Sequence, residues 1–375
     1  VSRSIRESFD VEPGRNYFEF PYDWRRDNRI AAARLEELSG AWLHAWRADH
    51  PDARLVLVAH SMGGLVARYF LECLGGWRDT RTLVTFGTPF RGSLNALGFI
   101  ARGMRKGFGP VTLIDLSKLL RSFTSVYQLL PIYPCYREEG SVELVRLTEV
   151  ADPIPSLDPE RVRAADEFHR EIERAVQAHL DDDEYQANRY AIRPIVGTYQ
   201  PTGQSAEVDG SEVEILRTYR GEDRGGDGTV PRDSATPIEL PNEEGATFAA
   251  ERHASLQNLD SALVQLAGVL SGRDTSGFRG LPMTRVGLDV DDLYGADERI
   301  EVRVRSEDRS AQLVVRVVDE RGTEVARTEL ARGIDEWRRV ELGPLPGGTY
   351  RIGIDGGPLV HPVGDRFVVY VGDAA

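Results

Sequence analysis

Ser61 lies in Ala59-His60-Ser61-Met62-Gly63, between the aliphatic run Leu55-Val56-Leu57-Val58 and a segment, Met62 to Leu74, whose pattern predicts a helix closed by Gly75-Gly76. A serine on such a strand-to-helix turn is lifted above a sheet, and the turn demands small neighbours, here Ala59 and Gly63. Ala59 stands where glycine is usual; the constraint is steric, so alanine satisfies it. The amide of Met62, at the start of the helix, would face a developing oxyanion and be helped by the helix dipole. The bland alternative is an ordinary turn serine.

A serine hydroxyl at its own pKa is a weak nucleophile, so this chemistry needs a base and a group to orient it, which in this fold class follow in the order Ser, Asp/Glu, His. Asp227, in Gly225-Gly226-Asp227-Gly228-Thr229-Val230-Pro231, is the candidate acid. A calcium loop counted from Asp223 fails, because its twelfth position is Ser234 and not a bidentate glutamate; a plain Asp-Gly turn is the other reading. His253, just before the last helix of this region, is the candidate base. Of the other six histidines, His44, His50, His169 and His179 lie on or beside amphipathic helices, and His361 lies in the C-terminal region. His60 is expected to pack beneath the turn, since adjacent side chains on a sharp bend diverge. In the resulting arrangement His253 Nε2 takes the Ser61 proton, and Asp227 fixes the imidazole tautomer.

The elements that must position these groups can be read from periodicity. Tyr17-Phe18-Glu19-Phe20 suggests a short strand ended by Pro21. Ile30, Ala31, Leu35, Leu38 and Trp42 predict an amphipathic helix capped at Asp27 or Asn28. Leu55–Val58 and Thr82–Phe86 read as strands buried on both faces, and Ile192–Gly197 as another candidate. The succession of strands and helices predicts parallel βαβ units and a three-layer α/β domain. Residues 94 to 185 break this rhythm and are read as a helical cap; within them Asp158-Pro159 starts a helix, and Asp181–Glu184 reads as a solvated loop. A helix from Leu256 to Leu270 closes the region. Ser271 to Gly277 is linker-like, and beyond it the apolar period becomes two, with seven short strands fitting an immunoglobulin-like β-sandwich. The expected organisation is therefore 1–272, with a cap at about 94–185, and 283–375.

The composition narrows the function classes. The chain has 375 residues and a net charge of −14, from 46 basic and 60 acidic residues, so anionic nucleic acid is not an expected partner. Its longest uncharged stretch near the serine, Leu55 to Ala67, is too short to span a bilayer, which takes about 20 residues. Two cysteines, Cys73 and Cys135, permit at most one bridge and no cysteine-built zinc site. Their scarcity leans toward the cytoplasm, but compartment is left open. Lysine occurs only at 106 and 118, which suggests a GC-rich, bacterial genome.

Taken in order, Pro21-Tyr22-Asp23-Trp24-Arg25, Ala59-His60-Ser61-Met62-Gly63-Gly64, Gly87-Thr88-Pro89 with Gly92-Ser93, Leu129-Leu130-Pro131, Gly226-Asp227-Gly228-Thr229-Val230 and His253 resemble the lecithin:cholesterol acyltransferase family of lipases. The resemblance covers residues 17 to 270. It implies an α/β-hydrolase fold, no cofactor or metal, and hydrolysis or transfer of acyl esters, often of lipids. It also implies strands ahead of Tyr17 and a second oxyanion-hole donor; with sixteen residues there, either these are missing, which leaves an open sheet edge and a weak catalyst, or residues 1–16 supply a substitute. The competing expectation is a hydrolase-like scaffold that binds a protein or glycan through residues 283–375. A third keeps the three side chains but changes the bond cleaved to an amide or thioester.

Overall fold

A computed structural model describes residues 1–103, 105–108, 111–151, 154–209, 212–240, 246–271, 283–330 and 336–371. Four parallel strands form its central sheet: β1 (Leu55–His60), β2 (Thr80–Phe86), β3 (Ala191–Gly197) and β4 (Thr247–Ala249), in the order β1-β2-β3-β4. Around it pack α1 (Asn28–Arg47), α2 (Gly63–Cys73), α3 (Pro159–Leu180) and α4 (Asp260–Leu270). The capping chemistry is local. Asp27 accepts the Arg29 amide at 2.8 Å to start α1, and Asp158 accepts the amides of Glu160 and Arg161 ahead of α3, with proline at the first helical position.

Strand side chains alternate between two cores. Leu57, Ala59 and Leu83 meet Ala32, Leu35, Leu65, Leu71, Phe168 and Ile172 of α1, α2 and α3 on one face. Val58, Val84, Phe86 and Ile195 meet Leu256, Ala262 and Leu266 on the other, joined by Ile5 of a short helix, Ser2–Ser8. The sheet is thus covered on both sides, which is why its strands read as continuous apolar runs. Each fully buried leucine or phenylalanine contributes about 1.5–3 kcal/mol.

The helical side of the sheet also buries charge. Glu72 on α2 accepts from Arg68 at 3.0 Å, Tyr190 at 2.6 Å, Tyr185 at 3.2 Å and His179 at 2.8 Å, and Arg68 also reaches Glu239. Removing one member of such a network leaves a charge stranded, at a cost of about 3–5 kcal/mol.

Residues 94–185 are more mixed than the sequence suggests. Helices Leu94–Ala101 and Thr124–Tyr127 share a core with α3 and with the hairpin Ser205–Asp209/Glu212–Leu216, and that hairpin forms a small sheet with Tyr136–Arg137 and Leu144–Val145. Gln128 pins this region to α1: its Oε1 accepts the Asn28 amide and its Nε2 donates to Asp27, both at 2.9 Å, and its carbonyl meets buried His169 Nε2 at 2.8 Å.

Three local expectations are corrected. Tyr17–Phe20 forms no strand: Phe18 stacks on Trp42 of α1 at 4.2 Å, and Phe20 and Tyr22 pack against the core, so aromatic packing and Pro21 win over pairing. Asp181–Glu184 is not a loop throughout, because Asp182 caps a further helix, Asp183–Asn188, whose Tyr185 is buried. The closing helix begins at Asp260, after a 3₁₀ turn at Leu256–Asn258. Both cysteines are free. Asp152-Pro153 and the linker-like run from Gly272 onward lie outside the described residues.

The C-terminal region is β-rich. Strands β5 (Val286–Asp289), β6 (Leu293–Gly295), β7 (Ile300–Ser306), β8 (Leu313–Val318), β9 (Glu324–Leu330), β10 (Trp337–Leu342), β11 (Gly348–Asp355) and β12 (Val363–Tyr370) form sheets ordered β5-β7-β10 and β6-β12-β11-β8-β9. One core of Val286, Val302, Val304, Val315, Val317, Ile352, Phe367 and their neighbours lies between them. Alternation identifies β7, β8, β10, β11 and β12. It misses β5, whose Val286 to Leu288 are all buried, β6, which is three residues long, and β9, an edge strand whose side chains are mostly exposed, so eight strands are described where seven were expected.

Candidate active site

The carboxyl ends of the parallel strands converge, which is where open α/β sheets place their ligands. β1 ends at His60, and the chain turns into α2 through Ser61, which adopts φ 52 while its amide still pairs with the Phe86 carbonyl at 2.9 Å. A non-glycine residue at positive φ costs roughly 1–2 kcal/mol, so the conformation is held by its surroundings. Thr88 helps hold it, donating its hydroxyl to the Ser61 carbonyl at 2.9 Å. Gly64 makes that contact sterically feasible: a Cβ there would come within 2.0 Å of Thr88 Oγ1. Met62 follows as the N-cap of α2, so its amide lies at the positive end of that helix.

Asp227 and His253 approach from the loops beyond β3 and β4. His253 Nδ1 lies 2.7 Å from Asp227 Oδ2, and His253 Nε2 lies 2.9 Å from Ser61 Oγ. With the ring proton on Nδ1 facing the carboxylate, Nε2 is left to accept from the serine hydroxyl. The other carboxylate oxygen of Asp227 accepts the amides of Thr229 and Val230 at 2.9 and 2.7 Å, and the His253 amide donates to the Asp227 carbonyl at 2.8 Å. Asp227 is only 1% exposed. Gly87, at the end of β2 with φ 55, permits the approach, since a Cβ there would meet Asp227 Oδ2 at 2.6 Å and His253 Nδ1 at 2.9 Å.

Burial of the His253 ring opposes its protonation, but the charge of Asp227 and the hydrogen bond to it outweigh burial, with a smaller contribution from Asp365, and hold the imidazole pKa above its usual value. His60 does not pack beneath the turn. It is exposed, its ring centroid is 4.8 Å from that of His253, and its Nε2 lies 3.0 Å from the His253 carbonyl. The bend that lifts Ser61 turns the His60 ring onto the histidine loop.

All four residues singled out from the sequence, Ser61, Met62, Asp227 and His253, therefore lie at one sheet edge, three of them in a single hydrogen-bonded chain. The sequence offered Gly87 only as part of a family motif, with no role, since its positive φ becomes evident once its neighbours are placed; Arg252 and Asp365 were missed. Asp365 did carry a signal: it occupies the inward phase of β12, between Val363 and Phe367, where a carboxylate needs a partner. No group of histidine, cysteine or acidic side chains suited to a metal occurs among the described residues, and none of their helices is long and apolar enough to cross a membrane.

A parallel sheet covered on both faces, with a serine at positive φ on the turn after its first strand, defines an α/β-hydrolase fold. Residues 6–174, which include Ser61, match the family model for lecithin:cholesterol acyltransferase; Asp227 and His253 lie beyond the match. A curated relative, the human (Homo sapiens) lysosomal phospholipase A and acyltransferase, is 31% identical over 117 residues, which cover 30% of this chain and 27% of that protein. The chain thus spans about a quarter of that relative's length. Among solved structures, the Tle4–Tli4 complex gives a TM-score of 0.46 at 16% identity, covering 68% of each chain. The Bacillus licheniformis lipase BlEst2 in its propeptide form gives 0.36 at 13% identity, covering 94% of this chain and 84% of that one.

Proposed function

We propose that the protein is a serine hydrolase that cleaves or transfers the acyl groups of carboxylic esters, lipid esters above all, with residues 1–272 as its catalytic unit, the part of residues 94–185 that precedes the sheet-packed helix α3 as the cap over it and residues 283–375 as an accessory unit. The observation that carries this reading is the continuous chain from Asp227 through His253 to Ser61, set on a strained turn at the positive end of a helix. In the proposed reaction, Ser61 Oγ attacks the ester carbonyl as its proton passes to His253 Nε2. The oxyanion faces the Met62 amide. Collapse expels the alcohol, which takes the proton from Nε2, and leaves an acyl-serine. Water or a second alcohol, deprotonated by the same nitrogen, then releases the acyl group as acid or as a new ester. Asp227 holds the ring in the Nδ1-protonated tautomer and stabilises the imidazolium. Every step is a proton or acyl transfer, and none calls for a cofactor.

The choice of ester is supported by the family match and by the phospholipase and acyltransferase activities named for the human relative. Its test compares turnover of a p-nitrophenyl ester, the matching anilide and the matching thioester by the same preparation. The expected order has the oxygen ester ahead of the anilide, with added alcohol diverting part of the acyl group to a new ester. Anilide turnover equal to or faster than ester turnover would place the reaction in another class.

A further inference from the structure

We infer that Arg252 and Asp365 are positioning residues for His253: strand β12 of the C-terminal region reaches the histidine loop and fixes it through the arginine that precedes the histidine. The inference rests on the roles proposed above for Ser61, Asp227 and His253.

Arg252 touches every part of this arrangement. Its Nε pairs with Asp365 Oδ2, and its Nη1 donates to the Leu288 carbonyl of β5 at 2.6 Å. Its guanidinium also lies against the residue after Asp227, since a Cβ on Gly228 would be 3.4 Å from Arg252 Cζ. One side chain therefore spans the histidine loop, the aspartate loop and two C-terminal strands. A second link runs through Glu251, whose Oε1 accepts the Arg252 amide at 2.8 Å and the Gly364 amide of β12 at 3.3 Å. A third braces the aspartate loop. Gln200, fully buried, donates to the Val286 carbonyl at 3.0 Å and accepts the Leu288 amide at 2.9 Å, and its own amide donates to the Gly226 carbonyl at 2.9 Å. The two loops that carry the base and its orienting acid are thus tied to β5 and β12 directly.

Stability alone does not explain Asp365. It sits 6% exposed in the inward phase of a strand, where an apolar residue of similar volume would cost no charge desolvation, and buried ion pairs rarely outperform such a replacement. What the carboxylate does supply is a fixed anchor for Arg252. A guanidinium gripped on two edges restrains the loop backbone, and displacing a catalytic group by about 1 Å can cost on the order of 10²-fold in rate.

The charged groups facing the His253 ring are Asp227, Asp365 and Arg252, with the His60 ring beside it; Asp365 in turn faces Arg252, Glu251, Asp292 and His253. The sign of a charge change therefore follows. Asp365 favours the imidazolium and Arg252 disfavours it. Replacing Asp365 by asparagine removes a negative charge, lowers the His253 pKa and moves the acid limb of kcat/KM to lower pH.

The test uses the full chain, with active sites counted by a fluorophosphonate so that rates are expressed per competent site. Asp365→Asn is expected to lower kcat per site about 10- to 100-fold, with KM within about twofold and the acid limb displaced downward. Arg252→Lys keeps the charge and loses the planar grip, so kcat per site falls and the limb stays in place. It carries the rate comparison if the aspartate variant does not fold. Wild-type kcat per site in both variants overturns the inference, as does a loss of countable sites alone with an unmoved limb. A wild-type protein that neither reacts with the fluorophosphonate nor turns over ester overturns the parent reading instead, and that outcome is seen before any variant is made.

Discussion

Ser61→Ala lowers turnover of a p-nitrophenyl ester by about 10⁴-fold or more, with thermal stability close to that of the parent protein. The hydroxyl is the atom that forms the acyl bond, so its removal eliminates the covalent route and leaves only what the oxyanion site and substrate binding contribute. The fold should tolerate the change. The strain at φ 52 belongs to the backbone, held by the Ser61 amide to Phe86 and by the Thr88 hydroxyl to the Ser61 carbonyl, and neither bond uses the deleted oxygen. A stopped assay with purified variant and burst-free progress curves reads the loss; turnover within tenfold of wild type would exclude Ser61 as nucleophile.

Asp227→Asn is expected to lower kcat by about 10⁴-fold with little change in KM, although it deletes no atom that touches substrate. The reason lies in the carboxylate's two sides. One oxygen accepts the amides of Thr229 and Val230 and must remain a carbonyl in the variant. The amide nitrogen is then turned toward His253 Nδ1, where it donates, so Nδ1 must accept and the ring proton moves to Nε2. That nitrogen then donates toward the Ser61 hydroxyl and can no longer take its proton. Loss of the Asp227 charge also removes the main influence that raises the His253 pKa, so the acid limb of the remaining activity shifts to lower pH. An unshifted limb with an undiminished kcat would separate Asp227 from the reaction.

Much of this site was legible because its demands are local. An elbow needs small residues and an aliphatic strand before it, and a loop acid needs glycines, so Ser61 and Asp227 stand out within a few residues of sequence, and His253 follows from chain order. The parallel strands are legible for the same reason, as runs buried on both faces. What the sequence concealed depends on long-range packing. Tyr17–Phe20 has a strand's composition, but its aromatic rings find a better partner in α1. The hairpin at 205–216 pairs with residues some 70 positions earlier, which no periodicity reports. Arg252 reads as one surface arginine among many until Asp365 and Leu288 are brought beside it.

The most direct measurement is the site and rate of fluorophosphonate labelling, followed by mass spectrometry across pH in the wild-type protein and in His253→Ala. The expected adduct is on Ser61 alone, forming faster as pH rises through a single ionisation above the ordinary histidine value, and lost in the alanine variant. An adduct on another serine, or labelling of Ser61 at an undiminished rate without the imidazole, would contradict the proposed chemistry.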